Sequence, residues 1–147
     1  MMYTPGTIVY FTPFRFADGS SKNKYFLVLA TGEDDLLVAN LPTSKDHVPR
    51  SIAKKHGCIN DDAARVNCYF FEAKRVISEC GTFGFERDTF VYGEQVTFAD
   101  IRIMQSFYKD EGKDYRIVCK LSNIEFRSVK ECLKRSKGIK NKFRKIL

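Results

Sequence analysis

The sequence contains no tryptophan, and no stretch of it approaches the ~18 consecutive apolar residues that a membrane-spanning helix needs. The N-terminal residues also lack the basic region and apolar run that mark a secretory signal peptide. The five cysteines show no Cys-x-x-Cys pair or other tight spacing. These absences argue against an exported or membrane protein, so we expect free thiols in a reducing cytoplasm.

Acidic residues are missing from the end of the chain. Residues 134–147 contain seven lysines or arginines and no acid, within a chain whose net charge is +7. A basic segment of this kind suits a polyanion, because each neutralised phosphate releases a counterion. The same charges are also typical of a solvated, frayed C-terminus.

Length and composition indicate one domain that is rich in strands. A chain of 147 residues can bury a core without staples, and an apolar fraction of 44% excludes wholesale disorder. Thirteen phenylalanines and seven tyrosines favour strands, because flat side chains pack well on a pleated surface. We therefore expect a single domain at 1–136, followed by a basic tail at 137–147.

Apolar runs bounded by turn residues predict successive strands. The polar stretch 17–23 is expected to be irregular, and the charged stretch 42–62 to be a long surface excursion. The strands 25–30 and 36–41 should form a hairpin. The full set of predicted strands is 7–11, 25–30, 36–41, 66–71 with a continuation at 75–77, and 89–96 with a bulge at Gly93. Strand after strand with short links points to a barrel or a sandwich.

Helical signals come late in the chain. The segment 98–108 fits either a short helix or an irregular strand. The segment 122–125 (Ser-Asn-Ile-Glu) fits a capping box at a helix start, and Gly138 is a plausible stop. The residues that then recur on one helical face are Phe126, Val129, Cys132 and Leu133. The predicted class is therefore mainly β with a capped C-terminal helix.

Three segments share the pattern of a known family. The first is 6–10, a glycine followed by a short apolar run, and the second is the loop 19–24, which brings a basic residue to the start of the strand 25–29. The third is 85–96, which contains an acidic residue followed by Gln95 near its end. In this order, and over roughly residues 5–100, the segments resemble the MazF/PemK toxins of toxin–antitoxin systems.

The resemblance implies a compact SH3-like β-barrel, usually a homodimer, that cleaves single-stranded RNA without a metal or another cofactor. It also implies an antitoxin partner whose acidic tail blocks the RNA groove. The chain departs from the family in two places. Lys24-Tyr25 stands where family enzymes usually have Arg-Pro, and a lysine lacks the planar fork with which arginine binds a phosphate. The excursion at 42–62 is also longer than is usual.

The family's chemistry assigns catalytic roles to four positions. RNA cleaves itself when its 2′-hydroxyl is deprotonated and the charge growing on the phosphate is stabilised. The resemblance puts Lys24 in the role of the cation, Thr43 or Ser44 as the hydroxyl that bonds the phosphate, and Glu94 as the base.

Further positions are candidates for RNA binding. Gln95 would contact a base edge, and Arg15, which alternates with two phenylalanines, could stack on bases. Lys22 and Arg87 complete the predicted RNA-binding set.

Each of these residues also has a structural interpretation. Lys24 fits an ordinary strand-edge lysine, and Thr43 and Ser44 fit residues that cap a turn after Pro42. Glu94 could pair with Arg87 or Arg102 on a solvated face. Phe14 and Phe16 could anchor their loop to the body of the protein.

Other functional classes remain open at this stage. His47, His56, Cys58 and Cys68 could form a zinc site, although their spacing matches no standard knuckle. Cys58 with a histidine could act as a nucleophile, or it could be a small core residue. The Lys24-Tyr25 departure motivates the main alternative function, a non-catalytic module that binds nucleic acid or protein on the same barrel.

Overall fold

The computed structural model describes residues 3–42 and 46–147. Its elements alternate strands and short turns before two helices close the chain, which confirms a mainly β protein with a C-terminal helix. In chain order they are β1 Thr7–Arg15, β2 Ser21–Thr31, β3 Asp35–Leu41, β4 Gly57–Asp61, β5 Val66–Phe71, β6 Thr89–Tyr92, a 3₁₀ turn Gly93–Gln95, β7 Val96–Asp100, α1 Ile101–Phe107, β8 Tyr115–Lys120, α2 Asn123–Arg135 and α3 Asn141–Arg144.

The strands form two antiparallel sheets. One has the order β7-β3-β2-β1-β8 and the other the order β4-β5-β6. Within the described ranges, no ladder joins the two sheets, so they do not close into a barrel. The predicted β class is therefore confirmed, whereas the closed barrel is not observed.

The hairpin of β1 and β2 is longer than its apolar runs suggested. The pairing continues past Phe11↔Lys24 to Arg15↔Ser21, so residues 21–23 are extended and the expectation of an irregular stretch there is wrong. The polar residues at its tip are exposed on both strands, which is why no apolar periodicity marks them. The turn itself contains Gly19 at φ +88°, a left-handed conformation that glycine adopts at little cost.

The excursion at 42–62 contains a strand that the sequence did not reveal. β4 pairs along its length with β5, from Gly57↔Phe70 to Asp61↔Val66. Only Ile59 in the middle of β4 is buried, so the strand lacks the apolar run that would have predicted it. The predicted strand 66–71, by contrast, has the bounds of β5 and is buried at five of its six residues.

The segment 93–95 turns where a continuous strand was expected. A Cβ on Gly93 would lie 2.6 Å from Ser136 Oγ and 2.7 Å from the Ile139 nitrogen. The chain after α2 therefore packs directly on this backbone, and β6 gives way to the 3₁₀ turn before β7 begins. Gly93 is a close-approach residue rather than a bulge.

The helices match the sequence signals in part. Ser122 Oγ accepts the Glu125 amide at 3.2 Å and caps α2 as predicted, but the Glu125 side chain does not return to the cap. The helix ends at Arg135, three residues before the predicted stop at Gly138. The ambiguous segment 98–108 contains α1, and β8 had no counterpart among the predicted strands.

The basic segment at the end of the chain is anchored. Ile139 and Phe143 are each 4% exposed and belong to the main core, and Arg144 donates to the Ser136 carbonyl at 2.7 Å. Residues 137–147 therefore extend the domain instead of fraying from it, while their lysines remain at the surface.

Two apolar layers lie on the faces of the five-stranded sheet. The larger layer packs one face against β5, β6 and α2, with Leu27, Phe71 and Leu133 nearly inaccessible. The smaller layer covers the other face with α1 and includes Tyr3, Phe11 and Met104. Successive residues of β2 therefore face the two layers in turn, as the pleat requires. No described helix is both long and apolar enough to cross a membrane.

A disulfide corrects the expectation of five free thiols. Cys58 of β4 is bonded to Cys132 of α2, across 74 residues of sequence. Cys68, Cys80 and Cys119 are free. The bond joins α2 to β4, the strand of the second sheet at the end of the excursion 42–62.

Candidate functional site

Glu94 and Gln95 lie where three surface grooves meet. Both residues line an apolar groove of about 280 Å³ and a polar groove of about 290 Å³, and Glu94 also lines a third groove beside Lys137. The Gln95 Oε1 atom accepts a hydrogen bond from Asn40 Nδ2 on β3 at 3.4 Å. The 3₁₀ turn thereby presents the Gln95 amide toward β3, and the Glu94 carboxylate toward Gly138.

The Glu94 carboxylate rests on the backbone of Gly138. A Cβ at Gly138 would lie within 2.5 Å of Glu94 Cδ. Among the residues that the structure describes, Glu94 has no ion-pair partner, because Arg102 approaches Asp100 (3.8 Å) and Arg87 lies before the opposite end of β6. The structural alternative of a Glu94–arginine pair is therefore not observed.

The polar groove gathers side chains that a phosphodiester reaction can use. Its lining includes His47, Arg65, Asn67 and Glu94. The His47 backbone amide donates to the Tyr92 hydroxyl at 3.0 Å, and burial raises the pKa of Tyr92 to about 12, so this phenol stays neutral. The groove thus contains a carboxylate, an imidazole and a guanidinium, which are potential base, acid and phosphate ligand.

Arg65 has an unusual backbone. Its φ is +57°, in the left-handed region that non-glycine residues seldom adopt, at the end of the turn between β4 and β5. The Arg65 side chain is exposed. It lines two of the grooves that Glu94 lines, the polar groove and the groove beside Lys137. Left-handed residues are common at the end of a β-hairpin turn, so this φ reflects the turn closed by the Arg65 amide and the Asp62 carbonyl.

Pairing register places Lys24 beside the end of β3. The last pairs of the ladder are Phe26↔Asn40 and Tyr25↔Leu41, so the next antiparallel position sets Lys24 across from Pro42. Lys24 and Asn40 share a face, and diagonal neighbours in such a ladder are about 7–8 Å apart at Cα. Lys24 is half-buried and has interacting neighbours. Thr43 and Ser44, the predicted catalytic hydroxyls, lie outside the described residues.

The other predicted RNA contacts are dispersed. Lys22 pairs with Phe14, so it lies on the face that carries Lys24. Arg15 lies between Phe14 and Phe16, both of which line the apolar groove, and strand alternation directs its side chain to the opposite face. Arg87 is exposed and is separated from Glu94 by the length of β6. Lys22 and Lys24 share the β2 face of Asn40, which bonds Gln95, whereas Glu94 lines grooves whose described lining includes neither lysine.

Sequence reasoning missed several residues of this site. His47 was considered as a metal ligand or as the base for a Cys58 nucleophile, and Arg65, Asn40 and Asn67 had no assigned role. They come from different strands and loops, and no motif connects them. The positive φ of Arg65 was the one local peculiarity, and it is visible only in the fold.

Two of the residues weighed as a zinc site, Cys58 and His56, have other partners. Cys58 is oxidised, and His56 lies in a network away from the grooves, where its Nε2 donates to Glu125 Oε2 at 2.8 Å. The Glu72 amide donates to His56 Nδ1 at 3.1 Å, which fixes this tautomer, and the Tyr69 hydroxyl donates to the same Glu125 oxygen. Over residues 3–42 and 46–147, no three His, Cys, Asp or Glu side chains are arranged to hold a metal ion.

Comparison of the chain with protein-family models, with curated proteins and with solved structures finds no match.

Proposed function

We propose that this chain is an endoribonuclease of the MazF/PemK type, which cleaves single-stranded RNA without a metal or another cofactor. The observation that carries the proposal is the hydrogen bond between Asn40 and Gln95, together with the register of Lys24. The register of Lys24 within β2 sets it across from the chain leaving β3, and the hydrogen bond joins β3 to the turn that contains Glu94. These are the three positions at which the family resemblance expects catalytic groups.

In this proposal Glu94 is the general base. It removes the proton from the 2′-hydroxyl, whose oxygen attacks the adjacent phosphorus as the bond to the 5′-oxygen breaks. The products are a 2′,3′-cyclic phosphate and a 5′-hydroxyl. Lys24 binds the scissile phosphate, and Thr43 or Ser44 donates a hydrogen bond to it.

Arg65 supplies the planar cation that Lys24 lacks. It lines the same groove as Glu94, and a guanidinium binds two phosphate oxygens at once. His47, in that groove, is placed to return a proton to the 5′-oxygen of the leaving strand. The departure at Lys24 is thereby offset by a residue from the β4–β5 turn, which follows the lengthened excursion.

The finer identity of the fold is part of the same proposal. The two sheets would be an opened form of the SH3-like barrel of the family. The protein would act in the cytoplasm as a homodimer, with an acidic antitoxin as its partner. The surface lysines and arginines of residues 134–147 would add sequence-independent affinity for RNA or for an acidic tail.

The experiment is cleavage of a long single-stranded RNA in EDTA at low salt. Wild-type protein is compared with Lys24→Ala and Arg65→Ala, and with Lys120→Ala as a control on an exposed strand lysine. Loss of one preorganised phosphate ligand is expected to slow cleavage by about 10²–10³-fold. Lys120→Ala should leave the rate unchanged.

Two outcomes would contradict the proposal. Intact RNA with excess wild-type protein would reject the enzyme, and cleavage by Lys24→Ala and Arg65→Ala at the wild-type rate would reject the site. Salt-sensitive RNA binding without cleavage would instead identify the non-catalytic binding module.

A further inference from the structure

The Cys58–Cys132 disulfide borders a groove that shares no residue with the proposed RNA site. This disulfide groove occupies about 460 Å³ between α2 and the start of β4, and Cys58 is among its lining residues. Cys58 is partly exposed, whereas Cys132 is only 3% exposed and belongs to the main core. The fold thus shields one sulfur of the bond, so an incoming group must approach the other, which belongs to Cys58.

Arginines from two segments line the disulfide groove. Arg127 and Arg135 come from α2, and Arg75 comes from the segment after β5. All three residues are exposed. Among the residues that the structure describes, Arg127 and Arg135 have no ion-pair partner, and Arg75 approaches Glu72 only to 3.8 Å. Their guanidinium groups are therefore available to an anion that enters the groove.

The two acids of the disulfide groove have partners of their own. Glu125 accepts hydrogen bonds from His56 and from the Tyr69 hydroxyl, and its side chain is only 13% exposed. Glu131 contacts Lys134 at 3.5 Å. Three guanidinium groups thus face two carboxylates that are already paired, so the groove keeps a positive balance and attracts anions.

Two features of the disulfide groove together identify its ligand. A disulfide is attacked by a thiolate, so the reactive end of the ligand is a thiol. Guanidinium groups bind carboxylates through two parallel hydrogen bonds, so the rest of the ligand is acidic. A low-molecular-weight thiol that carries carboxylates meets both requirements.

We propose that the disulfide groove is a thiol–disulfide exchange site, which receives a small acidic thiol and forms a mixed disulfide with Cys58. Arg127 and Arg135 bind the carboxylates of this thiol. Its thiolate attacks Cys58 Sγ, and a new S–S bond forms as the bond to Cys132 breaks. The electron pair leaves on Cys132 Sγ, which takes a proton from solvent. A second thiolate then attacks the ligand sulfur, which releases the Cys58 thiolate and the oxidised dimer of the thiol.

The fold accommodates the Cys132 thiol that this exchange releases. Its sulfur lies 3.3 Å from the Cys68 carbonyl oxygen, which gives the new S–H group an acceptor. The exchange also removes the covalent link between α2 and β4. Because the residues that follow α2 pack on Gly93, the reaction releases a restraint on the chain that supports the 3₁₀ turn.

The test compares how fast an anionic thiol, glutathione, and a neutral one, 2-mercaptoethanol, reduce the disulfide in the native full chain. The chain carries Cys80→Ala, which removes the exposed free thiol. Each rate is divided by the rate of the same thiol with a small neutral disulfide, so that intrinsic nucleophilicity cancels. Glutathione should be preferred by about fivefold at low salt, which is the order that two exposed ion pairs supply. The preference should shrink at high salt.

Charge variants of α2 show whether the arginines select the thiol. Arg127→Gln/Arg135→Gln should abolish the preference for glutathione, and Glu131→Gln should increase it by removing the exposed acid of the groove. Arg102→Gln, on α1 at the other face of the five-stranded sheet, is the matched control and should retain it. All of these residues are exposed, so the variants should fold.

Four results would overturn the exchange site. The first two are equal normalised rates for the two thiols, and a preference that survives in Arg127→Gln/Arg135→Gln. The third is a glutathione adduct that acid quenching and mass spectrometry place on Cys132 instead of Cys58. The fourth is a disulfide that neither thiol reduces until the protein unfolds. RNA cleavage is measured without thiols, so these results leave the proposed nuclease untouched.

Discussion

The disulfide between Cys58 and Cys132 gives the most quantitative prediction about stability. The bond closes a loop across a sequence separation of 74 residues between β4 and α2. The chain-entropy relation for a loop of this length gives about 4 kcal/mol at 25 °C. This is a large share of the ~5–15 kcal/mol that holds a typical domain folded.

The variant that tests this value is Cys58→Ala/Cys132→Ala, compared with wild type in urea without reductant. A loss of about 4 kcal/mol should lower the urea midpoint by about 2 M, given slopes of roughly 1–3 kcal/mol per molar. Cys80→Ala, at an exposed free thiol, is the control and should leave the midpoint unchanged.

A thiol count gives an independent check. Denatured wild-type protein should titrate three thiols without reductant and five with it. Five thiols without reductant, or equal midpoints for wild type and the double variant, would refute the role given to this bond. Because such bonds are uncommon in reducing compartments, the proposed cytoplasmic location also requires that the fold protect it, and Cys132 is 3% exposed.

Three further predictions follow from single residues. Hydrogen bonds with Thr82 and Ser78 lower the pKa of Cys80 to about 7, so iodoacetamide should label this thiol alone in native protein. The labelling rate should rise with pH through about 7 and then level off, and labelling of a second thiol would contradict this. Gly138→Ala should displace the Glu94 carboxylate and slow RNA cleavage by about 10²-fold, while the urea midpoint changes little. Cleavage at the wild-type rate would remove Glu94 from the mechanism. Glu125→Ala should lower the free energy of unfolding by about 3 kcal/mol, because its buried partners His56 and Tyr69 lose their acceptor. Glu131→Ala, at an exposed position of the same helix, is the control, and equal urea midpoints for the two variants would disprove the network.

Local sequence signals were sufficient where burial and periodicity coincide. The runs that became β3 and β5 are apolar and bounded by turns, so their strands were predicted nearly to the residue. The capping serine of α2 is likewise a local signal, and Ser122 acts as predicted.

Elements fixed by tertiary contacts escaped prediction. β8 has only two buried residues among six, and β4 only one among five, so neither shows a continuous apolar run. The turn at 93–95 exists because residues 136–139 pack on Gly93, a contact more than forty positions away in the sequence. Cysteine spacing gave no sign of the disulfide, since its two partners meet only when α2 docks on β4.

Only part of the candidate site could likewise be predicted from the sequence. Glu94 and Gln95 are adjacent in the sequence, and a single turn presents them together. Arg65 from the β4–β5 turn and Asn40 from β3 join them, so only the folded chain brings the four side chains to one junction. The family resemblance indicated Glu94 and Gln95, whereas Arg65 and Asn40 had no role assigned from the sequence.

The central claim is that Glu94 acts as a base in RNA cleavage at this junction, and the most direct measurement is the rate and chemistry of cleavage by Glu94→Gln. Wild-type protein in EDTA should produce fragments with 5′-hydroxyl and 2′,3′-cyclic phosphate ends. The amide variant keeps the shape of the side chain but cannot take a proton, so its rate should fall by about 10²–10⁴-fold. Cleavage that Glu94→Gln leaves undiminished, or products with 5′-phosphate ends, would contradict the claim.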